Sequence, residues 1–244
     1  MYDNFCRYYD SLTGDVEYSK RADRIYGILR ANGCDGGILL DLGCGTGSMC
    51  VEMSGKGYDV IGVDSSVGML MAAREKAAEK GLDILLLNQS MEELDLYGTV
   101  DCAVSVLDSI NHLPSAEAVL RAFEKVSLFM VPGGIFIFDV NTVYKHRNIL
   151  ADNTFVLEND SLFCVWQNEL NEDDSVSINL DFFEEEDGAY YRSSESFTER
   201  AYSIEKLTEM LDKAGFDILA INDDISENPL SERSERAMFT VKKR

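Results

Sequence analysis

Five short, largely apolar runs alternate with helix-like segments over the first 140 residues, and this alternation constrains the fold more than any other feature of the chain. The runs cover residues 38–42, 59–64, 83–88, 100–107 and 134–140. Their apolar residues follow one another continuously, which is typical of strands buried on both faces of a parallel sheet. The pattern therefore predicts a doubly wound α/β fold, with helices on both faces of a mostly parallel sheet.

Three segments between these runs have helical character, and they cover residues 46–57, 65–81 and 115–134. Ser66 is a suitable N-cap for the second helix, and Gly81 is a suitable stop. Ser115 is a suitable N-cap for the third helix, and we expect Pro132-Gly133-Gly134 to end it.

The pattern changes after about residue 150. From 150 to 200, strand-like segments are joined by polar turns, among them the hairpin signal Asp187-Gly188. A further helix and two further strands are predicted over residues 203–215, 216–223 and 236–243. We therefore predict one domain over residues 1–244, built on a seven-stranded sheet. A small antiparallel β insertion over 150–200 is expected to roof the substrate pocket.

The chain is strongly acidic, with 44 Asp and Glu residues against 22 Lys and Arg residues and a formal net charge of -22. Such a charge repels phosphate backbones and anionic membranes. We therefore predict a small-molecule partner, and neither nucleic acid nor a membrane. We expect a monomer or a homodimer.

The cysteines indicate the cellular compartment of the protein, and the histidines indicate whether it can bind a metal ion. The six cysteines have no CxxC spacing, and the chain begins without an apolar signal segment. These features predict a cytoplasmic protein with reduced thiols. Because only two histidines are present, we predict no His/Cys metal site.

A glycine-rich turn follows the first apolar run, in "ILLDLGCGTGS" at residues 38–48. The glycines Gly43, Gly45 and Gly47 form G-x-G-x-G, whereas the dinucleotide fingerprint is G-x-G-x-x-G and would need glycine at Ser48. Asp41 precedes the turn. A pyrophosphate gains nothing from a neighbouring carboxylate, whereas a cofactor that carries an ammonium and a sulfonium does.

A second acidic residue, Asp64, ends the next strand-like run, about 20 residues after the glycine turn. An acid at this place can accept hydrogen bonds from both ribose hydroxyls of an adenosine. The turn, Asp41 and Asp64 together therefore predict a nucleoside cofactor that is positively charged at its other end.

Five stretches of the chain carry a resemblance to a known family: "LLDLGCGTG" (39–47), "VIGVD" (60–64), "NQSMEELDL" (88–96), "VDCAVSVLDSINHL" (100–113) and "PGGIFIFDVNT" (132–142). The sequence resembles the class I S-adenosylmethionine-dependent methyltransferases, in particular small-molecule members with an antiparallel insertion after the fifth strand. The resemblance extends over nearly the whole chain.

The resemblance implies a set of cofactor-binding residues. The three glycines would admit the methionine moiety, Asp41 would face its amino group and Asp64 would bind the ribose. Where the family often has an acid facing the adenine amine, this chain has Ser90, and Met91 would cover the ring. The remaining residues expected to bind S-adenosylmethionine are Tyr9, Ser65, Met69 and Leu107.

Methyl transfer needs alignment of two reactants, and it needs a base only when the acceptor is protonated. The loop after the fourth run, residues 107–115, lies at the edge of the sheet where substrates bind. Its His112 is the candidate base, although a purely structural hydrogen bond is the alternative. Asp108 and Asn111 are expected to shape the site or to touch the methionine end of the cofactor. Further pocket candidates are Asn141, Tyr144, Lys145, Trp166, Phe182, Phe183, Tyr190 and Tyr191.

Three functions remain open at this stage. The first is S-adenosylmethionine-dependent methylation of a small molecule at nitrogen or oxygen. The second is a cofactor-binding regulator or assembly factor without catalysis. The third is a nicotinamide-dependent oxidoreductase, which the interrupted glycine fingerprint and the missing Tyr-x-x-x-Lys pair disfavour.

Overall fold

The computed structural model describes residues 5–12, 16–159 and 162–244. Its α-helices are α1 (Phe5–Leu12), α2 (Tyr18–Ala31), α3 (Ser48–Gly55), α4 (Val67–Glu79), α5 (Ala116–Phe129), α6 (Val143–Lys145) and α7 (Ile204–Lys213). Short 3₁₀ turns cover Met91–Glu93 and Ser109–His112, and a π-helical turn covers His146–Leu150.

The strands are β1 (Ile38–Leu42), β2 (Asp59–Asp64), β3 (Leu85–Asn88), β4 (Val100–Ser105), β5 (Met130–Asn141), β6 (Thr154–Glu158), β7 (Leu162–Leu170), β8 (Ser175–Glu186), β9 (Ala189–Arg200), β10 (Phe216–Asp223) and β11 (Arg236–Lys243). The two strands β1 and β2 have the predicted bounds. The strand β3 starts two residues later than expected, and β4 ends two residues earlier.

The main sheet has seven strands in the order β10-β11-β5-β4-β1-β2-β3. The five strands β1 to β5 pair in parallel, and β11 runs antiparallel to both β5 and β10. This topology confirms the predicted doubly wound, mostly parallel sheet. Because β1 and β4 are neighbours at its centre, the loops that follow them meet at one edge.

The helix caps follow the sequence closely. Ser66, Ser115 and Ser203 each accept a hydrogen bond from the backbone N–H three residues later, at 3.2–3.3 Å. Each serine satisfies one of the N–H groups that a helix start leaves without a partner. Gly215 has φ +88° just after α7, as expected of a residue that ends a helix.

The expected end of the third predicted helix is wrong. Helix α5 ends at Phe129, and β5 begins at the next residue, so Pro132-Gly133-Gly134 lies inside a strand. The pairing of β5 with β4 shifts in register over this stretch, which makes it a bulge. A proline and a left-handed glycine, with φ +84° at Gly133, are as well suited to a bulge as to a helix stop.

The insertion forms a separate antiparallel sheet in the order β6-β7-β8-β9. Asp187 and Gly188 make the predicted tight turn with φ +52° and +77°. The sheet has its own apolar cluster, which includes Ile178 and Phe182. Tyr8 of α1 packs against Phe182 with ring centroids 5.0 Å apart, so the N-terminal helix rests on the insertion.

In the part of the chain that the structure describes, no helix is long and apolar enough to cross a lipid bilayer.

Gly47, between β1 and α3, offers a test of how tightly the glycine turn is packed. A Cβ at Gly47 would lie 2.8 Å from the Cβ of Ala73 in α4, whereas a Cβ at Gly57 would meet nothing within 4 Å. Both residues have positive φ. We expect Gly57→Ala to lower the free energy of unfolding by about 1 kcal/mol, and Gly47→Ala by about 2–4 kcal/mol because a clash adds to the backbone strain. Urea denaturation measures both, and equal losses would contradict the packing argument.

Candidate active site

A cleft opens at the carboxyl ends of β1, β2 and β4, with an empty volume of about 580 Å³. The cleft is lined by Tyr9, Gly43, Gly45, Asp64, Ser65, Met69, Met91, Leu107, Ser109 and His112. All of these except Ser109 are predicted site residues. Distant stretches of the sequence therefore meet at the expected edge of the sheet.

Glycine is needed at the three positions of the turn for different physical reasons. All have positive φ, at +75° for Gly43, +51° for Gly45 and +76° for Gly47. A Cβ at Gly43 would lie 2.5 Å from Met91 Cε, whereas a Cβ at Gly45 would point into open space. Gly45 therefore leaves room at the cleft, and Gly43 and Gly47 permit close packing around it. Gly47 is not among the residues that line the cleft, and its contact with a cofactor stays a prediction.

Asp41 lies at the base of a smaller cavity that shares Tyr9, Gly43 and Gly45 with the cleft. Its side chain is buried, and Oδ2 accepts a hydrogen bond from Cys50 Sγ at 3.0 Å. Oδ1 is buried with no hydrogen-bond partner among the described residues. Burial raises the pKa of Asp41 to about 7. A buried carboxylate oxygen without a donor is an unsatisfied site for a cation.

Asp64 closes the other side of the glycine turn. Its Oδ2 accepts from the Gly45 N–H at 2.9 Å, and its Oδ1 accepts from the Ser66 N–H at 2.8 Å. Burial raises the pKa of Asp64, and these two N–H groups partly offset the rise. Each oxygen keeps a second lone pair, so the carboxylate can still accept hydrogen bonds from a ligand.

Ser90 lies beside the cleft rather than in it, in a groove that also contains Met91 and His112. Its Oγ donates to Glu93 Oε2 at 3.3 Å. Met91 is half-buried and lines both the groove and the cleft. The expected contacts of Ser90 and Met91 with adenine stay predictions.

Helix α1 covers the cleft and is held from three sides. Asp10 Oδ1 accepts from Thr46 Oγ1 of the glycine turn at 2.7 Å, and its Oδ2 pairs with Lys76 of α4 at 2.7 Å. Tyr8 donates to Glu184 of the insertion at 2.7 Å. Tyr9 therefore enters the cleft from a helix that links the two sheets. Burial raises the pKa of the Tyr9 hydroxyl, which stays protonated at neutral pH.

His112 lies between two carboxylates. Its Nε2 is 3.7 Å from Asp108 Oδ2 and 3.9 Å from Glu199 Oε1, and its ring is 5.2 Å from the ring of Phe197. Burial lowers the pKa of His112, but the hydrogen bond to Asp108 and the charge of Glu199 more than offset this, so the pKa lies above its ordinary value. Sequence reasoning missed Glu199 and Phe197, which reach the site from the last strand of the insertion.

Glu199 is itself held in place. Asn141 Nδ2 donates to Glu199 Oε2 at 2.9 Å, and Lys145 Nζ donates to Asn141 Oδ1 at 2.9 Å. Asn111 Nδ2 donates to the carbonyls of Asn141 and Arg200 at 3.1 Å and 2.9 Å. Asn111 therefore shapes the site by joining the loop after β4 to β5 and β9, as expected.

The aromatic residues expected in the substrate pocket have different surroundings in the structure. Tyr190 and Tyr191 are 64% and 59% exposed near the tip of the β8–β9 hairpin, and Phe182 is buried in the core of the insertion. Tyr144 lines a second cavity next to Tyr202. None of these side chains is among the described residues that line the cleft. That the insertion roofs a substrate pocket stays a prediction.

Asp108, His112 and Glu199 offer oxygen and nitrogen atoms within 4.8 Å of one another, a spacing that could hold a metal ion. Asp108 Oδ1, however, already accepts a hydrogen bond from Arg236 Nη2 at 2.6 Å. A guanidinium so close to the cluster opposes a divalent cation, because like charges repel strongly in a buried site.

Comparison with known proteins shows that this chain is similar to methyltransferases over nearly its whole length. Residues 39–134 match the model of a family described as a methyltransferase domain. The chain is 32% identical over 245 residues to a protein of Geobacillus sp. (strain WCH70), with 99% of each covered, and 31% identical over 245 residues to YqeM of Bacillus subtilis (strain 168), with 100% and 97% covered. Both relatives are named as methyltransferases. The crystal structure of an S-adenosylmethionine-dependent methyltransferase from Clostridium acetobutylicum ATCC 824 superposes with a TM-score of 0.92 at 32% identity, covering 99% of this chain and 98% of that one.

A Rossmann-like sheet with a glycine turn and two acids at its carboxyl edge defines a class of nucleoside-cofactor enzymes. The chain belongs to the S-adenosylmethionine-dependent methyltransferases, and S-adenosylmethionine is its cofactor. This membership decides against the nicotinamide-dependent and non-catalytic alternatives.

The residues present fit this cofactor. Asp41 Oδ1, which has no donor among the described residues, suits the amino group of the methionine moiety. The open space at Gly45 leaves room for that moiety, and Asp64 can accept from the ribose hydroxyls. Tyr9, Met69, Met91 and Leu107 supply apolar walls that would exclude water.

The raised pKa of Asp41 makes cofactor binding depend on pH. A cationic amino group favours the ionised carboxylate, so binding releases the proton that Asp41 holds in the free protein below pH 7. We expect the affinity for S-adenosylhomocysteine to rise with pH, by about tenfold per unit below pH 7, and to level off above it. Calorimetry between pH 5.5 and 8 measures both the affinity and the released proton.

The variant Asp41→Asn is expected to bind more weakly and to lose this part of the pH dependence. The exposed Asp59, at the start of β2, provides the matched control, because Asp59→Asn removes a carboxylate outside the cavity. The other groups around Asp41 are Cys50, Cys44, Asp64, Tyr9 and Tyr18. An unchanged pH profile in Asp41→Asn would assign the proton to one of them.

Proposed function

We propose that this methyltransferase acts on a nitrogen or oxygen atom of a small-molecule acceptor, and that His112 takes up the proton that the acceptor loses. The main support for this proposal is the position of His112. It lines the same cleft as Gly45 and Asp64, and two carboxylates flank it. A histidine with a pKa near neutrality can hold a proton or release it under ordinary conditions.

S-adenosylmethionine supplies an electrophilic methyl group on a sulfonium. The chain contributes alignment, which alone can lower the barrier by several kcal/mol. Asp41 and Asp64 would fix the two ends of the cofactor. The carboxylates of Asp108 and Glu199 lie 3.7 Å and 3.9 Å from His112 Nε2, so they would stabilise the imidazolium that forms when His112 takes up the proton of the acceptor.

The size and chemistry of the acceptor are supported by charge and by similarity. A net charge of -22 disfavours nucleic acids and anionic membranes as partners. A relative from Pectobacterium atrosepticum named as a ubiquinone biosynthesis O-methyltransferase is 31% identical over 46% of both chains. The sugar N-methyltransferase KedS8 from Streptoalloteichus sp ATCC 53650 shares the fold, with a TM-score of 0.81 at 18% identity. We extend the proposal to a cytoplasmic enzyme, active as a monomer or homodimer.

His112→Gln tests the role of the base. We expect the rate of methyl transfer to fall about 10²- to 10⁴-fold, because proton uptake is lost, while S-adenosylhomocysteine binds within about threefold of the wild-type affinity. The measurement is formation of S-adenosylhomocysteine with a panel of small amines and hydroxy compounds. In the wild type, the rate should rise with pH through a midpoint above the ordinary histidine value, since His112 must be neutral to accept a proton. A full rate in His112→Gln would refute the role, and turnover on RNA or protein alone would refute the acceptor class.

Glu199→Gln tests whether the insertion tunes this base. Removing the carboxylate 3.9 Å from Nε2 takes away one cause of the raised pKa of His112. The midpoint of the pH–rate profile should therefore move to lower pH, by about one unit. Glu186→Gln, an exposed position on β8, is the control and should leave the profile unchanged. A profile that stays in place in Glu199→Gln would show that Asp108 and Asp64 raise the pKa of His112 without Glu199.

A further inference from the structure

Two consecutive residues at the end of β4 have left-handed backbone conformations. Leu107 and Asp108 both have φ +56°, and neither is glycine. Such conformations are strained for residues other than glycine, and they persist only where their surroundings hold them in place. Leu107 lines the cofactor cleft, and Asp108 faces His112, so the strained pair joins the two halves of the site.

One buried carboxylate holds both residues. Asp139, near the end of β5, accepts the Leu107 N–H on Oδ2 at 3.0 Å and the Asp108 N–H on Oδ1 at 2.8 Å. Its side chain is fully buried. Two N–H groups can bind the two oxygens of one carboxylate only if they point the same way, and the left-handed backbone makes them do so.

A guanidinium completes the arrangement. Arg236, the first residue of β11, donates from Nη1 to Asp139 Oδ1 and from Nη2 to Asp108 Oδ1. With Oδ1 of Asp108 held in this way, Oδ2 is directed toward His112 Nε2, 3.7 Å away. Arg21 of α2 also donates to Asp139 Oδ2, at 3.2 Å, and bridges it to Asp224.

We propose that Asp139 and Arg236 are positioning residues, which fix the loop after β4 so that Leu107 forms the wall of the cofactor cleft and Asp108 sets the protonation of His112. Neither side chain lines the cleft. This inference rests on the proposed function, because the position of Asp108 matters for catalysis only if His112 is the base.

The chemistry of the cluster favours positioning over simple stabilisation. A buried ion pair usually adds little to stability over well-packed apolar residues, because both charges must lose their water. Here the carboxylate also satisfies two backbone N–H groups that an apolar residue would leave without an acceptor. The cluster therefore specifies one conformation of the loop.

The test uses the variants Asp139→Asn and Asp224→Asn. Both remove a carboxylate that pairs with Arg21, but only Asp139 touches the backbone of the loop. The chain has only two histidines, so the ring protons of His112 and His146 can be followed separately by NMR as the pH changes.

We expect Asp139→Asn to lower the titration midpoint of His112 by about one pH unit, since Asp108 is no longer held beside it. The affinity for S-adenosylhomocysteine should fall about tenfold, because the wall at Leu107 is displaced. Asp224→Asn should leave both quantities unchanged. If Asp139→Asn lowers the melting temperature but His112 titrates as in the wild type, the role is structural only and the proposal fails.

If Asp139→Asn does not fold, hydrogen exchange in the wild-type protein tests whether Asp139 holds the backbone of the loop. The amide protons of Leu107 and Asp108 should exchange as slowly as those of β4, and exchange at the rate of an unprotected loop would overturn the proposal. None of these measurements uses a methyl acceptor. A failure of the proposed function, seen as full activity in His112→Gln, is therefore distinguishable from a failure of this inference.

Discussion

Burial of the central strands on both faces is the constraint on which the rest of the structure depends. Apolar side chains of β1, β4 and β5 pack into one apolar cluster on each face of the sheet, so a charged group there needs fixed partners or a ligand. Three acids lie at or near the carboxyl ends of strands of this sheet: Asp41, Asp64 and Asp139. Each of these three carboxylates has a different set of partners, and each therefore does different work.

The partners decide the chemistry of these acids. Asp41 accepts a hydrogen bond from the Cys50 thiol on Oδ2, and its Oδ1, which has no hydrogen-bond partner among the described residues, can face a cation. Asp64 has two N–H donors and room for a ligand. Asp139 has two N–H donors and two guanidinium donors, and its charge is used entirely within the protein. One residue type thus serves for cofactor binding and for positioning, according to how its lone pairs are occupied.

The insertion is joined to this edge through few but specific contacts. Its last strand brings Glu199 and Phe197 to His112, and its third strand holds Tyr8 of the N-terminal helix. A segment added between β5 and α7 therefore contributes charge beside the candidate base. The insertion also contacts the helix that carries Tyr9 into the cofactor cleft, through the hydrogen bond from Tyr8 to Glu184.

The parallel sheet, the helix caps, the glycine turn and most of the cleft lining can be predicted from the sequence alone. These features depend on short-range patterns and on the rule that the carboxyl ends of parallel strands meet at one edge of a sheet. Asp139 and Arg236 are charged residues in the apolar runs "FIFDVN" and "RAMFTV", and such a charge indicates a buried ion pair or hydrogen bond. Their partner, the loop at Leu107, could not be identified, because it lies about 30 and 130 residues away along the chain. The long-range packing of the chain brings these residues together, and it places Glu199 and Phe197 of the insertion, rather than the aromatics expected from the sequence, beside His112. Strand register fixes which side chains point inward, and a shift of one residue would reverse them.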